Sequence, residues 1–262
     1  MRQNKFYKAD RLTKMNKHFT TVNSILIYVT AALLTLVVHE TGHFVVEKLW
    51  HFNAVMHPNY GSYSGVASDF QKIIIAAAGP LVSLIQGILS LFILKRLARK
   101  GVFSLFILWF SLHGLILFFG YLVCSPFFIY GDTGQVFYLL HFPIYATIII
   151  ALASVVILIK TLNKLSSNFH FYGQNIINRK SRLNQLLLFP LIIGGIITLS
   201  LQLPVPNFLL LFAELTTPLM FLIVYGKLKD DNGDSPTVSI DKLSISLCMV
   251  FIFTVVIVRL LV

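Results

Sequence analysis

The chain is poor in charge and especially poor in acidic residues. Of its 262 residues only 12% are charged, and just 10 are Asp or Glu. Soluble domains carry about 25% charged residues, and here no hydrophilic stretch is long enough to form a second domain. With 56% hydrophobic residues, this composition excludes an ordinary soluble globule. It predicts an all-α polytopic membrane protein embedded in the lipid bilayer.

Hydropathy divides the chain into about seven predicted transmembrane helices. They are Ser24–Leu49, Lys72–Leu94, Val102–Cys124, Phe142–Ile159, Gln185–Leu203, Phe208–Gly226 and Leu243–Val262. We expect three regions: a basic segment over residues 1–23, a core of three spans with its loops over 24–141, and accessory transmembrane helices over 142–262. The apolar run after the basic segment contains no small-residue cleavage site, so we interpret it as an uncleaved first span.

The basic residues fall almost entirely on one side of the predicted spans. Of 21 Lys and Arg residues, all but Lys48, Lys72 and Arg259 lie in the N-terminal segment or in the second, fourth and sixth loops. The positive-inside rule then places the N-terminus in the cytoplasm and the C-terminus outside. The loops also account for the net charge of +11. A nucleic-acid partner is not expected, because no folded basic surface is visible.

Cysteine is equally scarce, with two residues in the whole chain. Cys124 is predicted near the outer end of the third span and Cys248 near the inner end of the seventh. A disulfide between opposite sides of the membrane is not expected.

Against this apolar background, His39-Glu40-Thr41-Gly42-His43 stands near the C-terminal end of the first span. Ionisable groups inside a membrane are costly and mark functional sites. His39 and His43 are four residues apart and therefore share one helix face. The pattern H-E-x-x-H is typical of a zinc site in which the glutamate, here Glu40, is the general base. Because the first span runs outward, the site is expected in the outer half of the membrane.

A third ligand is expected, since catalytic zinc commonly has three protein ligands and one open position. Asp132, in Gly131-Asp132-Thr133-Gly134 after the third span, is predicted on the same side as the histidines. Glu214 in the sixth span is the alternative ligand. Ordinary structural roles are also open to both acids: a local turn for Asp132, and protonation or a hydrogen bond to Thr217 for Glu214.

The second span carries a patch of small residues, Ala76-Ala77-Ala78-Gly79-Pro80, followed by Ser83 and Gln86. Small residues allow helices to approach closely, and a proline frees one helical carbonyl. Alone, the patch indicates tight helix packing. Between the first two spans, the stretch from His51 to Phe70 is rich in turn-forming residues and predicts a short hairpin at the membrane surface.

These elements resemble the site-2 protease family of intramembrane zinc metalloproteases. That family has H-E-x-x-H on its first core helix, Gly-Pro-x-x-Asn on the second, and a Pro-containing stretch before an Asp-Gly after the third. The matches are His39-Glu40-x-x-His43, Gly79-Pro80, and Pro126 with Asp132, over about residues 25–135. The chain departs from the pattern at Ser83, where the family has Asn, and at Thr133, where Gly is usual.

The resemblance implies a three-helix metalloprotease core holding one zinc per chain through His39, His43 and Asp132. It implies Glu40 as the catalytic base and Gly79, Pro80 and Ser83 as substrate-binding positions. The expected substrate is a membrane-embedded or membrane-proximal peptide segment of another protein.

Two other functions remain open from the sequence. One is a catalytically silent metal-binding membrane protein, such as a chaperone or immunity factor. The other is a membrane di-iron hydroxylase, which needs further histidine boxes. The remaining histidines stand singly, at His18, His51, His57, His113, His141 and His170.

Overall fold

The structure, a computed structural model, describes residues 2–97, 100–173, 179–203, 219–228, 238, 240 and 242–261. Eight helices account for most of it: α1 (Arg2–Leu49), α2 (Asp69–Arg96), α3 (Val102–Cys124), α4 (Asp132–Leu139), α5 (Ile144–Ser166), α6 (Lys180–Gln202), α7 (Leu219–Leu228) and α8 (Ile245–Leu261). Two short strands, β1 (Asn53–Met56) and β2 (Gly61–Ser64), lie between α1 and α2.

Five helical segments are long and apolar enough to cross a membrane: Phe19–Leu49, Asp69–Arg96, Val102–Cys124, Ile144–Phe169 and Lys180–Gln202. An all-α, multi-pass membrane architecture is therefore confirmed. The count of seven spans is not, because α7 and α8 are shorter apolar helices. Most of the predicted sixth span, residues 208–218, lies outside the described residues.

The first three helices pack against one another and form the core that positions the site. Gly42 of α1 faces the α2 backbone so closely that a Cβ there would lie 2.9 Å from the Ala78 carbonyl oxygen. Gln86 of α2 joins the three helices through its Nε2, which donates to Thr35 Oγ1 of α1 at 2.7 Å and to the Phe110 carbonyl of α3 at 2.9 Å. Small residues and one buried amide thus fix how α1, α2 and α3 are arranged.

Hydrogen bonds between distant residues identify the two ends of the bundle. At one end, Asn23 of α1 donates to the carbonyls of Ile240 and Lys242, and Arg182 of α6 donates to Thr20. At the other end, Asn59 in the turn between the strands donates to the Gln202 carbonyl of α6 at 3.3 Å. The basic residues Arg182 and Lys242 therefore lie at the same end of the bundle as Thr20 and Asn23.

The hairpin predicted between the first two spans is present. β1 and β2 pair antiparallel, with Asn53 opposite Ser64 and Met56 opposite Gly61. After it, Ser68 caps α2 by exchanging hydrogen bonds with Gln71, an arrangement that satisfies free backbone N–H groups at a helix start. The hairpin therefore sits between the C-terminal end of α1 and the N-terminal end of α2, which are the parts of both helices that carry the site.

Candidate metal centre

Three side chains converge where α1, α2 and the start of α4 meet. His39 Nε2 and His43 Nε2 are 3.2 Å apart, one helical turn from each other on α1. The Asp132 Oδ2 atom lies 2.9 Å from His39 Nε2 and 3.3 Å from His43 Nε2. Within the described part of the chain, these residues form the one group of three potential ligands that could hold a metal ion.

Asp132 reaches the histidines because α4 begins at that residue. A sharp turn after α3 brings it back, and Thr133 fixes the turn by donating to the Tyr121 carbonyl at 2.7 Å. Gly134 lies so close to the Phe128 carbonyl that no side chain fits between them. An aspartate in the first turn of a helix is also favoured by the helix dipole.

The second nitrogen of each histidine has its own partner on α2. His43 Nδ1 donates to the Ile75 carbonyl oxygen at 2.7 Å, because a carbonyl can only accept. His39 Nδ1 lies 3.0 Å from Ser83 Oγ, whose own proton is donated to the Gly79 carbonyl, so this nitrogen also donates. In the neutral form of the two rings, both Nε2 atoms therefore point lone pairs at the space between them.

Two imidazole lone pairs and a carboxylate oxygen facing one another make a poor hydrogen-bonding group and a good metal site. Donor atoms around a tetrahedral zinc, at about 2.0 to 2.1 Å from the metal, lie about 3.3 to 3.4 Å apart. The separations of 2.9, 3.2 and 3.3 Å here are close to that spacing. Histidine ligands that donate their other N–H to a carbonyl or hydroxyl are typical of metal centres. The residues present thus fit a divalent metal ion.

Burial alone would raise the pKa of the Asp132 carboxyl. A positive charge beside it, carried by a protonated histidine or by a metal ion, outweighs burial and lowers that pKa below its usual range. Metal ligands bind in their deprotonated forms, so Asp132 supplies one negative charge to the site.

The structure places the three predicted substrate-binding residues behind the histidines. Gly79, Pro80 and Ser83 are all buried. A Cβ on Gly79 would clash with His43 Nε2, so both imidazoles pack directly against the α2 backbone at this point. None of the three residues lines the cavity described next, and their contact with substrate stays a prediction.

A cavity of about 560 Å³ opens beside the ligands. Glu40, His43 and Asp132 line it on one side together with Gly61 and Tyr63 of β2. Apolar residues of three other helices complete it, namely Ile116 and Leu117 of α3, Leu158 and Ile159 of α5, and Ile223 of α7. Glu40 is almost completely buried, so its carboxylate faces this cavity and the metal ligands rather than open solvent.

Two residues near the site are absent from the motif. Glu47 lies one helical turn after His43, is buried and lines the same cavity. The spacing 39, 43, 47 could have identified it, because residues four apart share one helix face. Tyr121 of α3 stacks on His39, with ring centroids 5.1 Å apart and planes at 6°. No sequence pattern indicates this stacking.

Glu214, the alternative third ligand, lies outside the described residues. His113 is buried among Tyr28, Trp109 and Phe221, and His57 Nδ1 contacts the Leu261 carbonyl at 3.2 Å.

Comparison of the chain with models of known protein families, with curated proteins and with solved structures found no match.

Proposed function

We propose that this chain is an intramembrane zinc metalloprotease of the site-2 protease type. The observation that carries the proposal is the convergence of His39 Nε2, His43 Nε2 and Asp132 Oδ2, with both histidine Nδ1 atoms engaged by α2. A buried group of this composition, built from helices that are apolar enough to cross a membrane, favours a metal-dependent hydrolase over a packing feature.

The zinc is proposed to be held by His39, His43 and Asp132, one ion per chain. When bound in such a site, zinc acts as a Lewis acid and makes water a stronger acid. Three protein ligands leave one position for water or substrate, as catalytic zinc sites require.

Glu40 is proposed as the general base and then the general acid. It follows His39 directly and lines the cavity with His43 and Asp132. Its carboxylate takes a proton from the water that attacks the peptide carbonyl and passes that proton to the nitrogen of the leaving amine. Proton transfer of this kind contributes a factor of about 10² to 10⁴ in rate.

The substrate is proposed to be an apolar peptide segment that lies in or beside the membrane. The walls from α3, α5 and α7 are apolar, while the polar groups gather near Glu40 and Asp132. Alternate residues Gly61 and Tyr63 of β2 line the cavity, so an extended substrate could pair with the edge of this strand. Pairing would also keep the substrate out of a helix, in which its carbonyls are engaged in hydrogen bonds.

The charge asymmetry of the loops supports an orientation for this site. We infer that the N-terminus is cytoplasmic and that the metal centre lies in the outer half of the membrane. The catalytically silent metal-binding protein is the rival that the following experiment separates from a protease.

The test compares membrane proteomes from cells that express the wild-type chain or Glu40→Gln, scored for new protein termini in or beside apolar segments. Glutamine has nearly the shape of glutamate, so the variant is expected to fold and to retain its metal. His39→Ala serves as the metal-deficient control. Fragments present with the wild type and absent with both variants support the protease. Identical fragments with wild type and Glu40→Gln, in chains that both hold zinc, would favour the silent metal-binding protein.

A further inference from the structure

Glu47 is a buried acid that the proposed reaction does not use. It is 2% exposed, and its Oε2 atom has no hydrogen-bond partner among the described residues. It lies on α1 one turn after His43 and lines the cavity together with Glu40. An isolated buried carboxylate is costly unless it is protonated or meets a cation.

No Lys or Arg among the described residues forms an ion pair with the Glu47 carboxylate. Lys48, its neighbour in sequence, places Nζ over the ring of Phe44, 5.4 Å from the ring centroid. The described residues that line the cavity include three acids, Glu40, Glu47 and Asp132, and neither Lys nor Arg.

Charge balance sets Glu47 apart from the other two acids. A divalent metal held by His39, His43 and Asp132 would balance Asp132, and its remaining positive charge would offset Glu40. An ionised Glu47 would carry a negative charge that no basic side chain of the cavity offsets. The missing positive charge is therefore expected from the molecule that enters the cavity.

We propose, on the basis of the proposed function, that Glu47 is a specificity-determining residue whose carboxylate binds the lysine or arginine side chain of a substrate. Glu47 and Glu40 lie beside the same residue of β2: a Cβ on Gly61 would be 3.8 Å from Glu47 Oε1 and 3.9 Å from Glu40 Oε2. A peptide paired with β2 would therefore pass both carboxylates. Since an extended chain advances about 3.4 Å per residue, the basic residue belongs within about two residues of the cleaved bond.

The test uses synthetic apolar peptides, with blocked termini, that differ only in one central residue, lysine or the uncharged norleucine. A third peptide contains norleucine and a free amino terminus, which separates recognition of a side chain from recognition of the α-amino group. The enzymes are the purified full chain, Glu47→Gln, the charge-retaining Glu47→Asp, and Asp69→Asn. The last variant removes an exposed charge that pairs with Lys72 and leaves the cavity unchanged.

We expect the wild type and Asp69→Asn to cleave the lysine peptide with a kcat/KM about 10- to 100-fold above that of the norleucine peptide, the range for a hydrogen bond to a charged group. Glu47→Gln should lose this ratio while keeping its zinc and its activity on norleucine. Glu47→Asp should retain part of it. An equal lysine-to-norleucine ratio of kcat/KM in wild type and Glu47→Gln would overturn the proposal. A wild-type kcat/KM that is higher for the peptide with the free amino terminus than for the lysine peptide would also overturn it.

Binding measured in the Glu40→Gln background separates this inference from the proposed function. One outcome is that no chain cleaves any peptide, while Glu40→Gln binds the lysine peptide more tightly than the norleucine peptide and Glu40→Gln/Glu47→Gln binds the two equally. The protease proposal then fails and the cation site stands. If lysine confers no tighter binding on Glu40→Gln, the cation site fails whatever the outcome of the cleavage assays.

Discussion

The Ser83 hydroxyl lies 3.0 Å from His39 Nδ1 and donates its own proton to the Gly79 carbonyl. Ser83 therefore accepts from the imidazole and sets which of its two nitrogens carries the proton. Ser83 thus controls which ring nitrogen of His39 presents its lone pair to the candidate metal centre. This relationship gives the second helix a role in the geometry of the candidate metal centre.

Replacing Ser83 by Ala should weaken metal binding without removing a ligand. Loss of an outer-shell partner of a histidine ligand typically lowers metal affinity about 10- to 100-fold. The measurement is a competition titration with a zinc chelator. Ser111→Ala is the matched control, because Ser111 is also buried but donates to the Gly87 carbonyl of α2, away from the ligands. Equal zinc affinity of the two variants would show that Ser83 does not orient His39.

Replacing Asp132 by Ala should release the metal much more completely than Ser83→Ala does, because it removes one of three ligand atoms and the only carboxylate among them. Metal content per purified chain is the measurement, with about one zinc expected in the wild type. Glu214→Ala is the informative comparison. If it loses zinc and Asp132→Ala does not, Glu214 is the third ligand.

Replacing Gly79 by Ala should disturb the metal centre through the α2 backbone. The new Cβ would clash with His43 Nε2 and lie 2.8 Å from His39 Nε2, so both imidazoles must move. Overpacking of this kind typically costs about 1 to 3 kcal/mol. We expect a lower thermal unfolding temperature and less zinc per chain. Gly120→Ala on α3 is the control, because nothing lies within 4 Å of the corresponding Cβ; a similar zinc loss there would point to a general effect of glycine replacement.

The orientation is testable with reporters of sidedness. A reporter fused after Lys100 should be cytoplasmic, and one inserted in the loop between Asn53 and Gly65 should be external, because 18 of the 21 basic residues lie in the segments assigned to the cytoplasm. Reversed signals at both positions would invert the topology. The distance between His39 and Asp132 would be unaffected, so the metal site does not depend on this result.

Much of the helical core follows from local sequence. The third predicted span, Val102–Cys124, has the bounds of α3, because an apolar run between Gly101 and a proline-containing turn has clear limits. The first predicted span, Ser24–Leu49, ends where α1 ends, and the apolar segment of α1 begins at Phe19, close to the predicted start. The helix itself extends back to Arg2, which hydropathy does not indicate. Hydropathy detects where a helix becomes apolar, and residues 2–23 contain no glycine or proline that would end one.

The arrangement of the site was only partly accessible from sequence. The i, i+4 spacing predicts that His39 and His43 share a face, but not that Ile75 and Ser83 would orient them, because those contacts depend on how α1 crosses α2. The approach of Asp132 depends on a turn in which Gly134 passes the Phe128 carbonyl, a long-range packing event with no periodic signature. Glu47 continues the spacing of His39 and His43 along one helix face, but its position near the end of a span does not show that it lines a cavity.

The candidate ligands precede several of the cavity walls in the sequence and are therefore synthesised before them. His39, His43, their partners on α2 and Asp132 have all emerged by the end of α4, whereas the cavity walls from α5 and α7 follow later. During biogenesis, the candidate ligand set can therefore be complete before the cavity is. Because Asp132 lies beyond two further helices that are apolar enough to cross a membrane, the nascent chain has no complete ligand set until α3 and the turn after it have been made.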